Sequence, residues 1–279
     1  MKKSHRLFFS SALKCQLSEW GEAQNLQAFG LAGGKLGAGF YFELVATLEG
    51  EPDPSTGWMI SEQDFHSLLW KVAGPWDHQY LNENESDFQF KKRQPTTENL
   101  AQILFARLDE ELTKLSTEVR LELYRLRLTQ GRDLWVDNFG PDQSMLVTQR
   151  FRLQCVHRHH NSDLSWKENK QLYGKCAAVH GHEYQIEVSL KGRPDEKTGL
   201  LVGRQELVDQ VRASIIEPYD HTYLNEIIGN TSGEILTEEW SSIMRKVWGD
   251  KFAFLVVRET RKNSFMEPGL SEDHALLLL

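Results

Sequence analysis

Three cysteines in 279 residues, Cys15, Cys155 and Cys176, are too few and too odd in number for a disulfide framework. Such scarcity fits a reducing compartment, and the expected location is cytoplasmic. Long apolar runs are missing as well. No stretch approaches the roughly 20 apolar residues that a membrane-spanning helix needs, so no membrane partner is expected. The N-terminus, Met1-Lys2-Lys3-Ser4-His5-Arg6-Leu7-Phe8-Phe9, starts basic, but its apolar run is too short and too soon interrupted for a secretory signal. Clustered positive charge is also absent. The formal net charge is -8, and no group of Lys and Arg is interleaved with aromatics, which excludes nucleic acid as an expected partner. What remains is an ordinary globular composition, 40% apolar and 26% charged, in a chain long enough for one large domain or two of common size.

The chain repeats itself. Trp76-Asp77-His78-Gln79-Tyr80-Leu81-Asn82-Glu83 returns as Tyr219-Asp220-His221-Thr222-Tyr223-Leu224-Asn225-Glu226. Each copy is preceded by a turn signal, Asp53-Pro54-Ser55-Thr56-Gly57 and Asp195-Glu196-Lys197-Thr198-Gly199. Each is followed by a helix opening, at Pro95-Thr96-Thr97-Glu98-Asn99 and at Thr231-Ser232-Gly233-Glu234-Ile235. Three matches in one order mean two copies of a single unit. Asn138-Phe139-Gly140-Pro141-Asp142 is the natural joint, because Gly-Pro continues neither a helix nor a central strand. The expected division is residues 1–138, residues 143–266 and a tail over 267–279, with Leu276–Leu279 as a candidate docking end.

Alternation predicts strands at Phe40–Leu48 and Tyr184–Leu190, and closing strands at Glu122–Leu128 and Phe252–Glu259. Helical spacing predicts a helix opening at Ser61, capped with Asp64 three residues on, and a counterpart from Gln205 to Ile215. A second helix carries Leu100, Ile103, Leu104 and Leu112 over Thr97–Leu112. Its counterpart over Gly233–Val247 carries Ile235, Leu236, Trp240, Ile243 and Val247. The fold class is therefore α+β: two tandem units, each a four-stranded antiparallel sheet with two helices on one face.

Chemistry concentrates at Lys175-Cys176-Ala177-Ala178-Val179-His180-Gly181-His182-Glu183-Tyr184. On a strand, residues two apart share a face, so His180 and His182 can close on one metal ion. Cys176 precedes them on the feeding loop, where a nearby cation favours the thiolate. A third histidine is available from Val156-His157-Arg158-His159-His160, in which His157 and His159 share parity. Three imidazoles leave a tetrahedral Zn²⁺ one open position, as in catalytic sites. A lone H-x-H is more often an ordinary surface pair; the upstream cluster is what favours the metal.

These motifs resemble the 6-pyruvoyl- and 6-carboxytetrahydropterin synthases, built on the T-fold. The resemblance spans nearly the whole chain as two copies, and in the second the runs C-A-A-V-H-G-H, D-H-T-Y-L-N and V-R-E-T fall in the family's order. It implies zinc ligands His157, His180 and His182, a catalytic thiol in Cys176 and proton-transfer partners in Asp220 and His221. It further implies a pterin-anchoring carboxylate in Glu259, a pterin contact at Ser232, and a homo-oligomer with sites between neighbouring units. The implied substrate is 7,8-dihydroneopterin triphosphate. The short gap from Cys176 to His180 resembles the carboxy synthases of queuosine and deazaguanine synthesis. The long approach Leu164–Cys176 resembles the pyruvoyl enzymes. A non-catalytic pterin-binding scaffold is the rival of another class.

In the first copy, counting from the turns sets Leu13, Ala38 and Phe40 against the three histidines, Gly34 against Cys176 and Leu128 against Glu259. That copy is expected to hold no metal. Asp77-His78 and Thr96-Thr97-Glu98 remain; the simpler reading is that they hold a loop and cap a helix, and the sharper one is that they help line the second copy's pocket.

Overall fold

The computed structural model describes residues 1–89, 93–115, 121–141 and 144–268. By contact it divides into two compact units. The first is Met1–Thr148 with Lys191–Leu207; the second is Gln149–Leu190 with the described residues from Val208 onward. Lys191–Leu207, second-copy sequence by the repeat, thus packs within the first unit. Asp142 and the expected tail from Gly269 to Leu279 lie outside the described residues.

In the first copy, β1 (Lys2–Leu13) and β2 (Ala38–Gly50) pair antiparallel, linked through α1 (Glu22–Phe29). Next come α2 (Glu62–Ala73), a two-residue β3 (Gln79–Tyr80), the one-turn α3 (Leu81–Asn84) and α4 (Thr97–Thr113). The copy closes with β4 (Leu121–Gln130) and β5 (Leu134–Asn138), and the strand order is β3-β1-β2-β4-β5. The two helices read from periodicity are present. Ser61 caps α2 by accepting Asp64 N–H at 3.0 Å, and Thr96 caps α4 by accepting Asn99 N–H at 3.3 Å. The core follows the alternation: Phe42, Leu44, Ala46 and Leu48 of β2 and Leu126 and Leu128 of β4 are fully buried with Phe65, Leu69, Leu100, Leu104 and Leu108. Each of these Leu and Phe side chains contributes about 1.5–3 kcal/mol by leaving water.

The second copy repeats the plan with β6 (Met145–His157), α5 (Trp166–Tyr173), β7 (His180–Gly192), α6 (Arg204–Val211), the single turns α7 (Glu217–Tyr219) and α8 (Leu224–Ile227), α9 (Gly233–Trp248), β8 (Phe252–Arg258) and β9 (Ser264–Glu267). Its strand order is β6-β7-β8-β9, and β8 runs antiparallel to both neighbours. The buried stripe of α9 is Gly233, Leu236, Thr237, Trp240, Ser241 and Met244, while Val247 is exposed. The apolar count had favoured Ile243 and Val247. The true stripe includes small polar residues because Thr237 returns its hydroxyl to Gly233 O at 2.6 Å and needs no other partner. Helices α1 and α5 are not among the helices expected from the sequence; α5 is opened by a capping box in which Ser165 and Glu168 satisfy each other's backbone N–H groups.

Ladder register corrects two equivalences between the copies. A bulge falls at Thr47/Leu48 in one and Ser189/Leu190 in the other, and Glu43↔Thr129 matches Gln185↔Arg258. Gln130, not Leu128, therefore stands where Glu259 does. Likewise the single 3₁₀ turns Gly30–Gly33 and Gly174–Ala177 correspond, which sets Ala32 rather than Gly34 against Cys176. Counting failed because the connections differ in length, whereas hydrogen-bond register does not drift.

Candidate metal centre

Strand β7 carries His180, His182, Tyr184 and Ile186 on one face, and β6 carries Leu153, Cys155 and His157. The buried part of each set is core, so the histidines prolong the core face of the sheet toward its edge. Gly181 lets the strands approach: a Cβ there would meet Cys155 O at 3.0 Å. The residue between the two histidines is small for that reason.

One nitrogen from each of His157, His180 and His182 lies within 4.8 Å of the others. Their ring centroids are 4.5, 5.0 and 5.1 Å apart. His157 is fully buried, and its Nδ1 faces Thr231 O at 3.1 Å; Nδ1 of His180 faces Ala178 O at 2.9 Å. A carbonyl only accepts, so both Nδ1 atoms carry a proton, and in the neutral ring this tautomer leaves the lone pair on Nε2. That is the tautomer a divalent ion on Nε2 requires, and the donor set fits Zn²⁺. Burial, aided by the neighbouring imidazoles, pulls the pKa of His157 down to about 4, against the opposing pull of Thr231. Burial also lowers that of His182, opposed by Glu259. His159 sits beside them, and with His157 and Glu259 forms a second possible ligand set.

Cys176 is half-buried in the turn before β7, and His159 N–H holds its carbonyl at 2.8 Å. It lines a cavity of about 700 Å³ with His159, Lys175, His180, His182, Glu259 and the following turn. Glu259 Oε1 stands 3.8 Å from Nε2 of both His157 and His182. The strand that delivers it is fixed by Glu187, nearly buried, which accepts from Arg150 at 2.8 Å and Arg258 at 3.1 Å. Cys155 differs from Cys176. Its thiol is buried, pushed up to about 12, and donates to Tyr219 O, so it is inert.

Asp220 and His221 pair at 2.9 Å, with His221 in the left-handed region at φ 57°. Asp220 accepts Gln154 N–H at 2.7 Å, and His221 N–H donates to Gln154 O at 2.7 Å. They do not line the cavity of Cys176, and the His221 ring is 74% exposed. Ser232 caps α9 at Ile235 N–H and does not line it either. The structure thus gathers His157, His180, His182, Cys176 and Glu259, and leaves Asp220, His221 and Ser232 apart. One residue of the centre, Thr231, carries no local sequence signal, and a second, Tyr184, follows from strand parity with His182. Thr231 fixes the His157 tautomer, and the buried Tyr184 hydroxyl lies 3.4 Å from His157 Nε2, kept protonated by burial and by Glu259.

The first copy keeps the dyad and loses the centre. Asp77 and His78 pair at 2.9 Å with His78 at φ 56°, anchored on Ser10 as the other dyad is on Gln154. Thr97 donates to Gln130 at the position corresponding to Glu259. Glu98 is fully buried, ion-paired with Arg204, and accepts Leu201 N–H at 3.1 Å.

Fold and cavity define the class: a tandem α+β protein with a three-imidazole centre in one copy. The family model described as 6-pyruvoyl tetrahydropterin synthase matches residues 38–139 and again 146–267, and the chain belongs to that family. A 6-pyruvoyl tetrahydrobiopterin synthase of Dictyostelium discoideum is 33% identical over 113 residues, 40% of this chain and 82% of the relative. A 6-carboxy-5,6,7,8-tetrahydropterin synthase of Haemophilus influenzae is 27% identical over 67 residues, 23% of this chain and 48% of the relative. The solved 6-pyruvoyl tetrahydropterin synthase of Caenorhabditis elegans, 26% identical, aligns over 47% of this chain and 100% of its own with a TM-score of 0.41. No described helix is long and apolar enough to cross a membrane.

Proposed function

We propose that the second copy is a zinc-dependent 6-carboxy-5,6,7,8-tetrahydropterin synthase. Its substrate is 7,8-dihydroneopterin triphosphate, cleaved with loss of acetaldehyde and triphosphate in queuosine and deazaguanine synthesis. The observation that carries the reading is the convergence of three imidazole nitrogens beside Cys176 and Glu259. His157, His180 and His182 hold the ion, which when bound supplies Lewis-acid polarisation of the substrate's side-chain hydroxyls. Glu259 accepts two N–H bonds from the guanidine-like edge of the pterin and fixes the ring. Cys176 removes a proton from the side chain. Asp220 orients His221 to relay it, and Ser232 adds a pterin contact.

The dyad and Ser232 stand off the cavity of their own unit, so we assign them to a site completed by another copy in a homo-oligomer. Mixing inactive Cys176→Ala and His221→Ala proteins then restores part of the activity; no recovery in proven mixed oligomers refutes that assignment. Three free thiols fit a cytoplasmic setting. A pyruvoyl synthase is the second reading, favoured by the names of most relatives; the short Cys176–His180 gap favours the carboxy product. Mass spectrometry after incubation with dihydroneopterin triphosphate separates the two. No product from zinc-loaded protein sinks both and leaves the scaffold.

A further inference from the structure

The turns that lead into α2 and α6 are built alike. Asp53 N–H donates to Trp58 O at 2.9 Å and Gly57 N–H to Asp53 O at 2.7 Å; Asp195 N–H to Leu200 O and Gly199 N–H to Asp195 O repeat both distances. Both glycines are left-handed, at φ 74° and 67°. What surrounds them differs. Thr96 donates its hydroxyl to Gly199 O at 2.6 Å, and Glu98 accepts Leu201 N–H at 3.1 Å. A Cβ on Gly199 would collide with Asn99 and Thr96, whereas one on Gly57 would meet nothing within 4 Å. Leu200 is 6% exposed, and its counterpart Trp58 is 62% exposed. Among the described residues nothing accepts from Met59 N–H, the counterpart of Leu201 N–H, and nothing donates to Gly57 O. The second-copy turn is seated on the start of α4; the first-copy turn is bare.

The helix starts show the converse. Thr96 and Ser232 cap α4 and α9 in the same way. At α4, Thr96, Thr97, Glu98 and Asn99 are all buried. At α9, Ser232 is half-buried, and Glu234, the counterpart of Glu98, is exposed with no ion pair among the described residues. Each chain therefore carries one turn without a seat and one seat without a turn. The bare turn already has the shape of the docked one, so seating it requires no rearrangement. Only the charge differs. Arg204, which meets Glu98, is replaced by Glu62, held by Lys3 at 3.5 Å and His5 at 3.2 Å. Lys3 also donates to Ile60 O at 2.7 Å, one residue from Met59, so a lysine supplies the cation of this turn.

We propose that the bare turn, residues 53–60, of one chain seats on the start of α9 in a second copy of this chain, with Glu234 accepting Met59 N–H and Trp58 covered at the seam. The occupant is fixed by the chain itself, which already holds the equivalent turn on the equivalent helix start. The contact is heterologous, turn to helix, so each chain gives one turn and receives one, and a closed ring satisfies every turn. Trp58 supplies the apolar anchor, as buried aromatics do at such interfaces. The inference rests on the repeat and is independent of the pterin reading.

The test uses the full chain. Sedimentation velocity should show an oligomer whose dissociation constant Trp58→Glu, a change at an exposed side chain, raises at least about tenfold. Glu234→Arg should weaken it in the same direction, because Lys3 then meets a like charge. Circular dichroism of both variants should match the parent. A Trp58→Cys/Glu234→Cys protein in a Cys176→Ser background, treated with a short bismaleimide, should give links between chains on a denaturing gel, and neither cysteine alone should do so. A monomeric parent, a link confined to one chain, an oligomer that stays unlinked, or one that both charge variants leave intact overturns the proposal.

Discussion

The burial of His157 has a consequence that can be worked through in the metal-free protein. Its pKa falls from an ordinary 6.5 to about 4 on folding. Between those values the unfolded chain binds a proton that the folded chain refuses, so stability is full above pH 6.5 and is lost as pH falls toward 4. At pH 5 the unfolded imidazole is about 97% protonated and the folded one about 10%. The ratio of binding terms is roughly 30, which corresponds to about 2 kcal/mol lost relative to pH 7.5. His182 shifts in the same direction and adds to the slope. The assay is urea unfolding of chelated protein at both pH values, with a His157→Gln variant as reference. The variant starts less stable because Thr231 loses its partner, but it should lose about 2 kcal/mol less on acidification. Nuclear magnetic resonance titration of the imidazoles gives the same answer directly. A His157 resonance titrating near 6.5, or equal acid losses in both proteins, would refute the burial argument.

Elemental analysis of zinc-reconstituted protein should find one ion per chain, and none after His180→Ala or His182→Ala; two ions per chain would contradict the loss of the first site. Cys176→Ala should keep its zinc and lose turnover by at least about a hundredfold, in line with removal of a catalytic base. Equal turnover sinks the thiolate role. Glu98→Ala should cost about 3–5 kcal/mol, because it leaves the largely enclosed Arg204 guanidinium without its carboxylate. Calorimetry reads this as a drop of several degrees, and a change under 1 kcal/mol would show that the pair is spectator. Replacing both Asp77 and His78 with Ala should leave turnover unchanged if the first dyad only holds its loop; a large loss would assign it to catalysis.

Much of this was legible without coordinates. The alternation of Phe42, Leu44, Ala46 and Leu48 fixed the buried face of β2, since side-chain direction on a strand depends only on parity. Ser61, Thr96 and Ser232 announced three helix starts because capping is a contact within four residues. The H-x-H pair likewise needs only strand parity to share a face. Such local rules do not reach across the chain. Thr231 behind His157, 74 residues away, has no local signature. Counting also misassigned Leu128 and Gly34, because loop lengths drift while ladder register is set by hydrogen bonds between distant strands. Sequence alone determined the repeat and the fold class. Tertiary structure decided which donors converge and which thiol meets the cavity, because those are distances between segments whose separation along the chain carries no geometric information.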